Sequence, residues 1–175
     1  MEVRAVAHVR FQRYSSLREN EYFAFQRVAL SRMAEVLAVS PHAPAGRYGF
    51  GGDYVFVFES VRAAGLFSAE LLESLRGALE EAEGFAMEPP AVCLHAGPVQ
   101  LMVNPVLNQY SHEGATLTRA GRIARQAAAG GLHATETFAS LAALEAIREF
   151  TFEYAGMTGA LDGAGGARMF RIHFR

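Results

Sequence analysis

Apolar and polar positions alternate from the start of the chain: Val3, Ala5, Ala7, Val9 and Phe11 are interleaved with Arg4, His8, Arg10 and Gln12, the period of a half-buried strand. Over residues 21–39 the period lengthens to that of a helix. Phe23, Leu30, Met33 and Leu37 fall on one face and Ser31, Arg32 and Glu35 on the other, until Ser40-Pro41 ends it, because proline has no N–H to continue the ladder. Residues 47–50 and 54–58 predict two strands joined through Gly51-Gly52-Asp53, where glycine supplies the backbone freedom of a tight hairpin. Ser60 then caps a second helix running to about residue 84, with Ala64, Phe67, Leu71, Leu75 and Ala78 along one side.

Residues 91–99 are almost continuously apolar, as a central strand buried on both faces would be. A polar excursion over 100–110 leads through Gly114 into a third helix that ends at Gly130-Gly131. A short strand at 132–134, a fourth helix from the Thr135 cap to about residue 145, and two strands, 150–157 and 168–174, around a glycine-rich turn at 163–166 complete the chain. The order predicts an α/β (α+β) fold with a ferredoxin-like βαββαβ core, extended by αβα and a C-terminal β-hairpin. One domain, 1–175, is expected, since no linker or repeat divides it and the length suffices for a core.

Composition narrows the function. With 51% apolar residues but no uninterrupted membrane-length run, a soluble chain with no membrane association is expected, and the alternating first ten residues do not form an export leader, so the cytoplasm is the expected location. A formal charge of -2 excludes a general nucleic-acid surface. All the basic residues besides histidine are arginine, which removes any chemistry that needs a lysine. Cys93, the lone cysteine, sits in an apolar run as a core residue, and the six histidines lack metal-ligand spacing. Asp53 is one of only two aspartates; at a hairpin tip it is either a metal ligand or a turn former. Arg119, Arg122 and Arg125, three residues apart, form either an anion-binding stripe or a solvated helix face.

Several strings carry a family likeness: Leu94-His95-Ala96-Gly97-Pro98-Val99, Asn108-Gln109-Tyr110-Ser111-His112-Glu113-Gly114 and onward to Thr118-Arg119-Ala120-Gly121-Arg122-Ile123, then Phe152-Glu153-Tyr154-Ala155-Gly156. In this order they resemble the class III nucleotidyl (adenylate/guanylate) cyclase catalytic domain, most closely bacterial members, over essentially the whole chain. The resemblance implies a head-to-tail homodimer with sites at the interface. There, two aspartates of one subunit hold two divalent ions, while an asparagine and an arginine of the other orient the ribose and stabilise the transition state.

Carried across, the pattern is half present. Asp53 matches the second metal aspartate and Arg122 the transition-state arginine, but Arg10 falls on the first metal position and Thr118 on that of the asparagine. The base-selecting positions hold Gly49 and Ser111, and the phosphate-binding lysine position holds Asp162. Arg10 can take a phosphate oxygen in place of a metal, or pair with a glutamate or with Asp53; the internal pair satisfies both charges without a ligand and repels a further cation. Ser111 and Thr118 suit capping and packing better than ligand contact. The expectation is therefore a degenerate cyclase domain, inactive or very weak, that dimerises as a regulatory or nucleotide-binding module. The alternative is an active cyclase making a 3′,5′-cyclic nucleotide and pyrophosphate, alone or in a heterodimer with an intact cyclase. No cofactor is required by the first reading; magnesium or manganese enters only with the second.

Overall fold

A computed structural model of the chain describes residues 2–159 and 165–175. Asp162 and the first part of the predicted glycine-rich turn lie outside the described residues. The strands are β1 (Glu2–Arg10), β2 (Gly46–Phe50), β3 (Asp53–Phe58), β4 (Ala91–Asn104), β5 (Gln109–Glu113), β6 (Leu132–Thr135), β7 (Phe150–Met157) and β8 (Arg168–Phe174). They form one sheet in the order β2-β3-β1-β4-β6-β8-β7, with β5 paired to the far half of β4. Its first four places are those of a ferredoxin-like sheet, and β4 and β6 make a parallel pair within an otherwise antiparallel array.

The alternation along β1 divides the two faces. Ala5, Ala7 and Val9 share one side with Phe56 and Phe58 of β3 and with Val92, Leu94 and Ala96 of β4. The helices α1 (Glu19–Phe25), α2 (Ser31–Val39), α3 (Val61–Glu81) and α5 (Glu136–Leu144) pack there, burying Phe25, Phe67, Leu71, Leu75 and Phe138. Phe67 sits between Phe56 and Phe58, with ring centroids 5.4 and 5.3 Å away. Ser60 caps α3 by accepting a hydrogen bond from the Ala63 N–H at 3.1 Å, and Thr135 accepts one from Phe138 at the start of α5.

The helix α4 (Ala115–Ala124) lies on the opposite face, over Val6 of β1 and Cys93 and Val99 of β4, through Ala120, Ile123 and Ala124. It stops at Ala124, short of the predicted end. Burial pushes the Cys93 thiol up to about 12, as befits a core thiol.

Two predicted segments differ from the observed ones. Between α1 and α2 the backbone makes a π-helical turn, Gln26–Leu30. That turn adds one residue without adding rotation, so a single helical wheel drawn through 21–39 loses its phase. Phe25 is turned inward onto the side of Met33 and buried, while Phe23 is turned outward and is 76% exposed. The second difference is the polar excursion. Residues 100–113 form a β-hairpin arm, the end of β4 with β5, whose Leu101, Val106, Leu107 and Tyr110 are exposed apolar side chains.

Candidate functional site

The polar side of β1 carries His8 and Arg10, and the β1–β3 register sets Arg10 directly opposite Asp53 and His8 opposite Val55. Asp53 thus has one cross-strand neighbour and one diagonal neighbour within side-chain reach. Nη1 of Arg10 donates to both carboxylate oxygens, at 2.9 and 2.8 Å, and Nε2 of His8 lies 2.8 Å from Oδ1. A carboxylate only accepts, so the hydrogen sits on Nε2. The other ring nitrogen, Nδ1, is buried without a partner among the described residues. The ring lies beneath α4 at Gly121, where a Cβ would come within 3.0 Å of Cε1 of His8.

Local chain geometry holds the carboxylate in place. Gly51 has φ +59°, open to glycine at little cost, and the N–H of Phe11 donates to the carbonyl of Gly52 at 2.8 Å, tying the hairpin tip to the end of β1. Tyr14 packs so closely on Gly52 that a Cβ there would lie 2.4 Å from that of Tyr14. Burial raises the Asp53 pKa, but the hydrogen bonds from His8 and Arg10 outweigh it, and the net effect holds the carboxyl below its ordinary value.

The other predicted site residues are spread across the chain. Gly49 pairs with Tyr54 on the helix-bearing side of the sheet, away from Asp53, and a Cβ there would meet the Tyr54 ring at 2.8 Å. A long side chain at 49 must first displace that ring. Ser111 is buried on β5, and its hydroxyl donates to Glu113 at 2.7 Å. Thr118, Arg119 and Arg122 are exposed on α4, and Arg125 is exposed at its C-terminal cap, so Thr118 neither caps nor packs; Gly114, with φ +143°, is the residue at the α4 N-cap. Among the described residues none of Gly49, Ser111 and Thr118 hydrogen-bonds to Arg10 or Asp53. His8 also belongs to this site, although the sequence marks it only as a polar position of the first strand. Its signal was present: it shares the polar face of β1 with Arg10 two residues on.

The sequence matches no protein-family model and no curated protein. Solved structures match over nearly the full length. The guanylate cyclase domain of RhGC from Catenaria anguillulae, in complex with GTP, superposes with TM-score 0.76 at 17% identity, covering 99% of this chain and 97% of that one. The adenylyl cyclase CyaB from P. aeruginosa gives 0.78 at 12% identity, with 100% and 97% covered. The non-canonical dimeric guanylyl cyclase domain of the RhoGC fusion protein from the aquatic fungus Blastocladiella emersonii gives 0.71 at 16%, with 100% and 98% covered. The chain has the class III nucleotidyl cyclase fold. At these identities the likeness is one of fold, and chemistry has to be judged from the side chains.

The cyclase fold implies a divalent metal, and the residues around Asp53 do not fit one. Three of the roughly four acceptor positions of its carboxylate are already taken by Arg10 and His8. Among the described residues no three His, Cys, Asp or Glu side chains gather as a metal would need. Electrostatics agree: at an effective dielectric near 20, a unit charge and a dication ~4 Å apart interact by roughly 8 kcal/mol, so the pull of Asp53 is cancelled by an equal push from Arg10.

Proposed function

We propose that this chain is a degenerate cyclase-homology domain that binds nucleotide and dimerises without turning nucleotide over at a significant rate, serving as a cytoplasmic regulatory module. The observation that carries the reading is the Arg10–Asp53 pair: a guanidinium occupies the cross-strand place from which a second carboxylate would have to act. Without two metal carboxylates, no pair of metal ions is held at this point to activate a ribose hydroxyl and bind a departing pyrophosphate. Arg122 and Thr118, exposed on α4, are the groups this domain offers across an interface to a second copy.

Support for self-association comes from the β4–β5 arm. Leu101, Val106, Leu107 and Tyr110 are 59–88% exposed on one short hairpin, more apolar surface than an isolated arm keeps in water without cost. The similar domain from Blastocladiella emersonii forms a non-canonical dimer, and that from Catenaria anguillulae is seen in complex with GTP.

The direct test is turnover. Purified protein is incubated with each common nucleoside triphosphate and magnesium or manganese, and cyclic nucleotide is quantified by mass spectrometry. Product at or near background is expected. Sustained formation of a 3′,5′-cyclic nucleotide that is lost in Asp53→Ala would establish the active-cyclase alternative instead.

A further inference from the structure

Arg10 spends only one of its nitrogens on Asp53. Both hydrogen bonds to the carboxylate leave from Nη1, and the guanidinium carries five N–H groups in a planar fork. The Nε and Nη2 edge, with three N–H groups, makes no hydrogen bond to any described residue, and 28% of the side chain is open to solvent. That edge is the bidentate geometry suited to a phosphate or carboxylate. Asp53 and His8 orient the fork from behind: the carboxylate fixes Nη1, His8 fixes the carboxylate, and Gly121 of α4 closes over the His8 ring. A cation so held is preorganised for an anion, because little side-chain freedom remains to be lost on binding.

From this geometry we infer that the site receives the phosphate groups of a nucleotide on the free edge of Arg10, with no divalent cation. The free edge supplies oriented N–H donors to the phosphate oxygens, while the pair with Asp53 leaves the two side chains without net charge between them. Asp53 is then a positioning residue for Arg10, not a metal ligand. The inference rests on the nucleotide-binding reading above and adds the mode of binding to it. The phosphates of a free polyphosphate offer the same chemistry, so the test includes one.

Calorimetric titration of the full chain with ATP, GTP and inorganic tripolyphosphate, each in EDTA and again with excess magnesium, separates the cases. The expected result is binding of at least one nucleotide in EDTA, with Kd unchanged within about twofold by magnesium. Tripolyphosphate is expected to bind more weakly than that nucleotide; equal binding would make the ligand a polyphosphate and overturn the nucleotide assignment. Arg10→Gln should weaken binding about tenfold or more, in the range of one lost charge-assisted bidentate contact. Arg10→Lys, which keeps the charge at the Asp53 carboxylate and loses the fork, should fall between the two and guards against a folding defect in the glutamine variant. Binding that appears only with magnesium would overturn the metal-free mode while leaving the nucleotide reading intact. Equal affinity in wild type and both Arg10 variants would remove Arg10 from the site. Silence of all three ligands under both conditions would overturn the mode and the reading together. Manganese uptake by the wild type, seen in electron paramagnetic resonance and abolished by Asp53→Asn, would also overturn it.

Discussion

Two side chains report on proton linkage, and both favour neutral pH. Asp53 has a folded pKa below its ordinary 3.8, because hydrogen bonds from His8 and Arg10 outweigh the burial that raises it. A lowered carboxylate contributes stability above the unfolded value and loses it as pH falls through the folded one. Thermal melts of wild type and Asp53→Asn should therefore differ most near about pH 6 and converge as the solution is acidified below the carboxylate range; a constant offset would mean that the charge of Asp53 is not linked to folding. His95 acts over a higher window. Its pKa is lowered from 6.5 to about 4, first by burial and then by the nearby Arg119, while its Nδ1 is engaged with the hydroxyls of Thr135 and Thr137 at 2.9 and 3.1 Å. The unfolded chain binds the proton more readily between those values, so stability should climb as pH rises from about 4 to 6.5. In His95→Gln that part of the slope should vanish from the urea midpoint plotted against pH.

At the level of elements, the joint between the β2–β3 hairpin and the turn after β1 has the least slack. Gly52→Ala would press a methyl to 2.4 Å from Cβ of Tyr14 and 2.9 Å from the backbone oxygen of Phe11, neither of which is the tip of a flexible side chain. Urea unfolding should show a loss of about 1–3 kcal/mol, the usual cost of overpacking. If the variant still binds nucleotide at wild-type strength, the placement of Asp53 tolerates more movement than its contacts imply. Much of this level was legible in the sequence: the β1 alternation, the glycine turn, the Ser60 and Thr135 caps, and the Phe67-Leu71-Leu75 stripe all rest on local periodicity and capping, which a linear reading captures. The π turn was not, because a one-residue change of helical phase leaves no mark in composition; it moved Phe23 outward and Phe25 inward. His8 was missed for a related reason, since its tie to Asp53 is diagonal across two strands and exists only once their register is fixed.

For the molecule as a whole, the β4–β5 arm departs from the polar excursion expected over 100–110: Leu101, Met102, Val103, Val106 and Leu107 are apolar, and they stand exposed on the arm. A single charge placed there should act on association and not on folding. Leu107→Glu is expected to shift the protein from dimer to monomer in size-exclusion chromatography with light scattering, with a thermal midpoint close to wild type at the same monomeric state. A monomeric wild type at high micromolar concentration would defeat the dimer proposal outright. The central place of β1 carries one more consequence, for the order of assembly. Its neighbours β3 and β4 come from Asp53–Phe58 and Ala91–Asn104, so a chain emerging from the ribosome holds all the residues of the β1–β3 pairing before β4 can cover the other edge of β1. The Arg10–Asp53 link spans 43 residues and belongs to the first of these pairings, so one edge of β1 is covered early while the edge that receives β4 stays open as a strand template.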